Sequence, residues 1–166
     1  MRIEDATVED IPAIRTLADR IWRVSFKTVI SGEQIEYMLK VMYDPAVLRS
    51  QMKEGLQKYV LIHEEEQCAG FASYEVNHNQ TNVTRLHKLF VLPELHKGGA
   101  GSLLLEHVIE QAREMNNESV LLSVNRQNPA VDFYQNRGFE IVDEDDIEIG
   151  NGFVLKDYVM ALTLKA

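Results

Sequence analysis

Residues Leu86–Leu105 read LHKLFVLPELHKGGAGSLLL. The run Leu86–Leu92 is apolar, with valine and phenylalanine among the leucines, and predicts a strand that Pro93 ends. His96-Lys97-Gly98-Gly99-Ala100-Gly101-Ser102 follows, with glycine at three of the four positions from 98 to 101. Leu103-Leu104-Leu105 then opens a helical run. A strand, a side-chain-poor turn and a helix in that order can aim several backbone N–H groups into one concavity. The helix start adds a partial positive charge, so the stretch reads as a phosphate site made of backbone. A P-loop is excluded, because no Lys precedes Ser102. A dinucleotide fingerprint is excluded too, because Leu104 stands where its third small residue belongs. The pattern Gln/Arg-x-x-Gly-x-Gly/Ala is met by His96–Gly101 except at its first position.

The rest of the composition narrows the class. With 166 residues, 45% of them hydrophobic, the chain can bury a proper core and is not disordered. The N-terminal MRIEDATVED is charged, which argues against a secretory leader, and no stretch nears the roughly 20 apolar residues of a membrane span. Cys68, the single cysteine, permits no internal disulfide and fits a reducing, cytoplasmic setting. The five histidines and Cys68 lack metal-ligand spacing, so no metal is expected. The formal net charge of −9 argues against nucleic acid. It suits a cationic substrate, and it serves solubility equally well.

Along the chain, Arg2–Ala6 predicts a first strand, and Thr7 or Asp10 caps a helix. That helix carries Ile11, Ile14, Leu17, Ala18, Ile21 and Trp22 on one face and runs to about Phe26. Ser31 caps a second helix facing inward through Ile35, Met38, Leu39 and Met42. Asp44-Pro45 opens a third, with Val47, Leu48, Met52 and Leu56 on its face. The methionines and tyrosines of this region read as core or as an adaptable substrate wall. Lys58–His63, Cys68–Val76 and Val83–Leu92 predict three strands in a meander. The helix after the glycine turn buries Leu104, Leu105, Val108, Ala112 and Met115 and ends at Asn116-Asn117. Ser119–Val124 predicts a short covered strand. Asn128-Pro129 starts a helix that Gly138 closes, and Phe139–Ile149 and Phe153–Leu164 form a hairpin around Gly150-Asn151-Gly152. The plan is one mixed α/β (α+β) domain over 1–166, without repeats or linkers.

A second motif lies in Asn128-Pro129-Ala130…Phe133-Tyr134…Gly138-Phe139. Together with the glycine loop it resembles the GNAT superfamily of N-acetyltransferases, and the element order resembles that fold over essentially the whole chain. The resemblance implies a mixed, mostly antiparallel sheet with a splayed central strand pair and helices on both faces. It implies acetyl-CoA as co-substrate, with pantetheine along the backbone of Leu89, Phe90 and Val91. The pyrophosphate would lie on His96, Lys97, Gly98, Gly99, Ala100, Gly101 and Ser102. Asn125 or Asn128 would contact pantetheine, Asn128 being favoured. Tyr134 takes the place of the family's general acid. Many relatives place a glutamate base on the central strand; His87 stands about there, and Glu75 on the preceding strand is the other candidate base. The acceptor would be a primary amine of a small molecule or a peptide. Ile21-Trp22…Phe26 and Asp157-Tyr158-Val159-Met160 look similar to the polyamine-acetylating branch. A non-catalytic acetyl-CoA sensor and an interaction protein are the alternatives. The oligomeric state stays open, a homodimer included.

Overall fold

The computed structural model describes residues 1–164. Its strands are β1 (Arg2–Asp5), β2 (Lys58–Glu64), β3 (Gln67–Glu75), β4 (Val83–Val91), β5 (Ser119–Asn125), β6 (Glu140–Gly150) and β7 (Phe153–Thr163). Its helices are α1 (Ile11–Ser25), α2 (Gly32–Met42), α3 (Pro45–Lys53), α4 (Ala100–Glu114) and α5 (Ala130–Gln135). The strands follow the order β1-β2-β3-β4-β5-β7-β6 in a mixed, mostly antiparallel sheet. The chain forms two compact units. The first holds Met1–Glu75 and Leu86–Val108; the second holds Val76–Arg85 and the residues from Ile109 onward.

In the first unit, side-chain caps mark the starts of α2, of α3 and of the turn that precedes α1. Thr7 and Asp10 close a capping box around a single 3₁₀ turn, which runs straight into α1. Thr7 caps that turn, whereas Asp10, at the start of α1, makes no side-chain cap bond to α1 and accepts instead from the Thr7 N–H at 2.8 Å. Ser31 accepts from the Gln34 N–H at 3.1 Å, and Asp44 accepts from the Ala46 N–H at 2.8 Å. Each satisfies one of the N–H groups a helix start leaves without a partner. The α1 stripe is buried as its spacing predicts, from Ile11 to Trp22. The α3 stripe is narrower than expected: Leu48 is fully buried, while Val47 and Leu56 are exposed. Leu56 lies beyond the helix end, and a nine-residue helix turns only one residue of this kind squarely inward. Strands β1, β2 and β3 pair antiparallel in sequence, with a bulge at Ile62/His63.

In the second unit, β7 lies between β5 and β6 and pairs antiparallel with both. The hairpin turn puts Gly150, Asn151 and Gly152 all at positive φ. Asn117, 5% exposed, ties this unit's pieces together. Its amide oxygen accepts from Thr84 Oγ1 (2.7 Å) and the Asn77 N–H (3.1 Å), and its amide nitrogen donates to Asn77 Oδ1 (2.6 Å). The stripe of α4 holds through Leu104, Leu105, Val108 and Ala112, but Met115 is 47% exposed. The helix has ended at Glu114, and the backbone leaves the helical path at Asn116, where φ is +57°.

Candidate active site

The backbone of Leu89–Val91 is held from both sides of β4. Leu86, Lys88 and Phe90 share one face by strand alternation. The Phe90 ring packs on Trp22 of α1 (5.6 Å between centroids), Phe26 (6.1 Å) and Phe71 of β3 (5.8 Å). Tyr43 completes this cluster against Trp22 and Phe71. The methionine- and tyrosine-rich stretch thus contributes at least Met38 and Tyr43 to the core. On the β3 side, Gly70 lets the strands approach closely. A Cβ there would sit 2.4 Å from the Phe90 carbonyl oxygen and 3.0 Å from Val91 Cα.

Beyond β4 the chain departs from the expected open loop. Pro93–Gly98 coils into 3₁₀ turns, Gly99 turns left-handed at φ +86°, and α4 begins at Ala100 rather than at Leu103. Leu103 N–H already closes onto the Gly99 carbonyl at 3.0 Å. Ala100, Gly101 and Ser102 therefore form the first helical turn, whose N–H groups have no carbonyl of their own helix to reach. A Cβ on Gly99 would meet nothing within 4 Å, so the requirement for glycine here is conformational and the space beside it is open. That combination fits a diphosphate at the start of a 15-residue helix. The turn is pinned at two points. His96 Nε2 bonds the Val91 carbonyl at 2.9 Å, and Glu94 pairs with Arg20 of α1. His96, in the pattern's one deviating position, thereby ties the turn to the end of β4. Lys97 and Gly98 are exposed.

The two candidate bases come together. His87 Nε2 lies 3.1 Å from Glu75 Oε1, and both side chains are about a quarter exposed (23% and 26%). The carboxylate fixes the ring's orientation, so the pair acts as one unit.

Lys88 was not singled out from sequence. It is 5% exposed, and its Nζ bonds Tyr59 Oη and lies 3.3 Å from Gln57 Oε1 and 3.4 Å from Gln51 Oε1. The rings of Tyr59 and Tyr43 lie 5.0 and 5.5 Å away. Burial lowers its pKa to about 8. The available signal was its place between Leu86 and Phe90 on one strand face.

Asn128 and Tyr134 belong to the second unit. Asn128 Oδ1 accepts from the Ala130 N–H at 2.9 Å, the cap that its sequence position predicts, although the regular helix starts one residue later than Pro129. Asn125 Oδ1 likewise accepts from the Gln127 N–H at 2.9 Å. Both candidate asparagines accept one local bond at the amide oxygen. Tyr134 is 6% exposed, and its ring stands edge-on to Phe133 (5.2 Å) and Phe139 (5.5 Å). Burial raises its pKa above the ordinary phenol range. Gly138, at φ +93°, closes the helix as a left-handed cap.

This fold and these two motifs define a coenzyme A-dependent acyltransferase of the GNAT type. Residues 26–162 match the acetyltransferase (GNAT) domain family, and the chain belongs to it. It is an N-acetyltransferase that takes its acetyl group from acetyl-CoA. The chain is 29% identical over 159 residues to the uncharacterized N-acetyltransferase YuaI of Bacillus subtilis, covering 93% of this chain and 88% of YuaI. Among solved structures, it resembles the PaiA N-acetyltransferase of Thermoplasma acidophilum in complex with coenzyme A. The TM-score is 0.82 at 21% identity, over 99% of this chain and all of the other. It also resembles the ribosomal-protein-S18-alanine N-acetyltransferase of Escherichia coli. There the TM-score is 0.73 at 19% identity, over 99% and 94% of the two chains. Among the described residues, no helix is long and apolar enough to cross a membrane.

Proposed function

We propose that the chain acetylates the primary amine of a small, polyamine-like molecule, with the glycine turn and the start of α4 taking the pyrophosphate of acetyl-CoA. The observation that carries the cofactor assignment is Gly99: left-handed, with open space where a side chain would stand, directly before the first turn of α4. Leu89, Phe90 and Val91 would hold pantetheine through their backbone, as the family resemblance implies. The Phe90 ring anchors that backbone from behind. Acetyl-CoA supplies the activated acyl group, and the protein supplies position, which accounts for much of the rate in such transfers.

The backbone N–H of Val91 is the assigned donor to the thioester oxygen as negative charge develops on it. Glu75 and His87 accept the proton of an acceptor that arrives as an ammonium ion, directly or through water. Tyr134 serves the departing thiolate as a hydrogen-bond donor rather than as a full acid. At ordinary values, a phenol gives its proton to a thiolate uphill by roughly 2 kcal/mol. Burial raises the Tyr134 pKa and makes that transfer harder still. A cytoplasmic setting is consistent with Cys68, the chain's one thiol.

The test is thiol release from acetyl-CoA against a panel of monoamines, polyamines and amino-terminal peptides. Small amines are expected to be the better acceptors, and activity confined to peptides overturns the acceptor class. Tyr134→Phe is expected to lower kcat about 10- to 100-fold, the worth of a hydrogen bond to a charged group, with little change in CoA binding. Unchanged turnover removes Tyr134 from the mechanism.

A further inference from the structure

We infer that His96 is a positioning residue for acetyl transfer: it braces the diphosphate turn against the peptide group that follows Val91, so that a coenzyme seated in the turn and the Val91 N–H keep one fixed relation. The inference rests on the cofactor reading above and deepens it. The residues it uses all lie in the first unit. The peptide group that joins Val91 to Leu92 is held at both ends. Its N–H, on Leu92, donates to the Ala69 carbonyl of β3 at 2.9 Å. Its carbonyl, on Val91, accepts from His96 Nε2 at 2.9 Å. A carbonyl only accepts, so Nε2 carries the ring proton. Bonds at opposite ends of a planar group fix its rotation as well as its place. Val91 lies between this clamped group and the Phe90 carbonyl, which packs closely against Gly70, so its own N–H has little freedom left.

The other end of the brace is the turn itself. Leu95 N–H returns to the Leu92 carbonyl at 2.9 Å, and Ala100, 1% exposed, anchors the start of α4. Between those points Gly98 and Gly99 leave the backbone loose in itself, and the imidazole spans the gap back to β4. Val91 and Leu92 are buried, whereas His96 is exposed. Without the ring, water can satisfy the Val91 carbonyl, so the bond adds little to stability. Water does not tie that carbonyl to the turn, so what the bond adds is alignment. An imidazole also has fewer rotatable bonds than the glutamine or arginine of the phosphate-loop pattern, which makes it the stiffer strut at this position.

The experiment uses the full-length chain with His96→Ala, His96→Gln and His96→Asn. The Gln amide nitrogen reaches about as far as Nε2, and the Asn amide falls short of it. His96→Ala is expected to melt close to the wild-type temperature. Its CoA affinity in calorimetry is expected to stay within about 3-fold, because the backbone N–H groups of the turn remain, while kcat falls about 10-fold. His96→Gln is expected to recover most of kcat, and His96→Asn to behave like His96→Ala. A second readout needs no turnover: in the cofactor-free protein, hydrogen exchange at the Leu92 amide is expected to quicken about 10-fold in His96→Ala and His96→Asn and to slow again in His96→Gln. Wild-type kcat or wild-type Leu92 exchange in His96→Ala overturns the inference. So does a loss that Gln does not recover, and so does a loss lying wholly in CoA affinity, which makes His96 an ordinary binding residue. If His96→Ala does not fold, the contrast between Gln and Asn decides. A wild type that releases no thiol with any amine strikes the acetyl-transfer reading instead, and Leu92 exchange still decides the brace.

Discussion

Lys88 carries an ammonium into the core among neutral oxygens and two phenol rings, with no carboxylate of the described residues bonded to it. Its pKa is lowered from 10.5 to about 8 by burial, so the folded chain binds its proton less tightly than the unfolded chain does. The resulting penalty is fully present below about pH 8. It is relieved as pH rises from about 8 toward 10.5, so this group alone makes the fold more stable across that window. Tyr43 and Tyr59 face Lys88, and their raised pKa values act in the opposite sense above about pH 10, where unfolded phenols ionise first. The difference between wild type and Lys88→Met isolates the lysine. The variant is expected to unfold at equal or higher denaturant at pH 7, because Tyr59 keeps Gln51 and Ser73 keeps Gln57 as partners. Its advantage is expected to shrink between pH 8 and 10.5; an advantage that stays constant across that range contradicts the buried-charge account. Gly70 is the other residue at which one atom decides. Gly70→Ala places a carbon against the backbone of Phe90 and Val91, which cannot swing aside as a side-chain tip can. A loss of about 1–3 kcal/mol in stability is expected, with weaker CoA binding as β4 is displaced. Wild-type stability and CoA affinity in that variant contradict the close strand approach.

Among the elements, those with their own start and stop signals were legible before any coordinates. Thr7, Ser31, Asp44 and Asn128 all cap where their spacing says, and Gly138 closes α5. The start of α4 was not legible to the residue. Glycines in sequence favour a loop, whereas packing holds Ala100 at 1% exposure and draws the helix back three positions. That shift matters to function, because it turns Ala100–Ser102 from loop residues into the first turn of a 15-residue helix. β6 defied its alternating sequence for a different reason. It is the last strand in the sheet order, and nearly every one of its side chains is exposed. Its many carboxylates protect a long edge from pairing with other chains.

For the molecule as a whole, local motifs in order carried the fold class and the cofactor. Their chemistry lies in backbone geometry that glycine, proline and capping residues specify directly. Pairings that only the sheet register makes were less legible: Asp145 and Asp157 lie a dozen residues apart in sequence and meet only through the β6–β7 register. The same holds for Glu75 and His87, named separately from sequence and paired in the structure. The central claim is that a left-handed glycine and the helix start after it hold the coenzyme's diphosphate. Its most direct test is calorimetric titration of CoA into the wild type and into Gly99→Val. A branched side chain at φ +86° is strained by about 1–3 kcal/mol and would distort the turn. The account predicts tight CoA binding by the wild type and a loss of at least 100-fold in the folded variant. Wild-type affinity in Gly99→Val would contradict it.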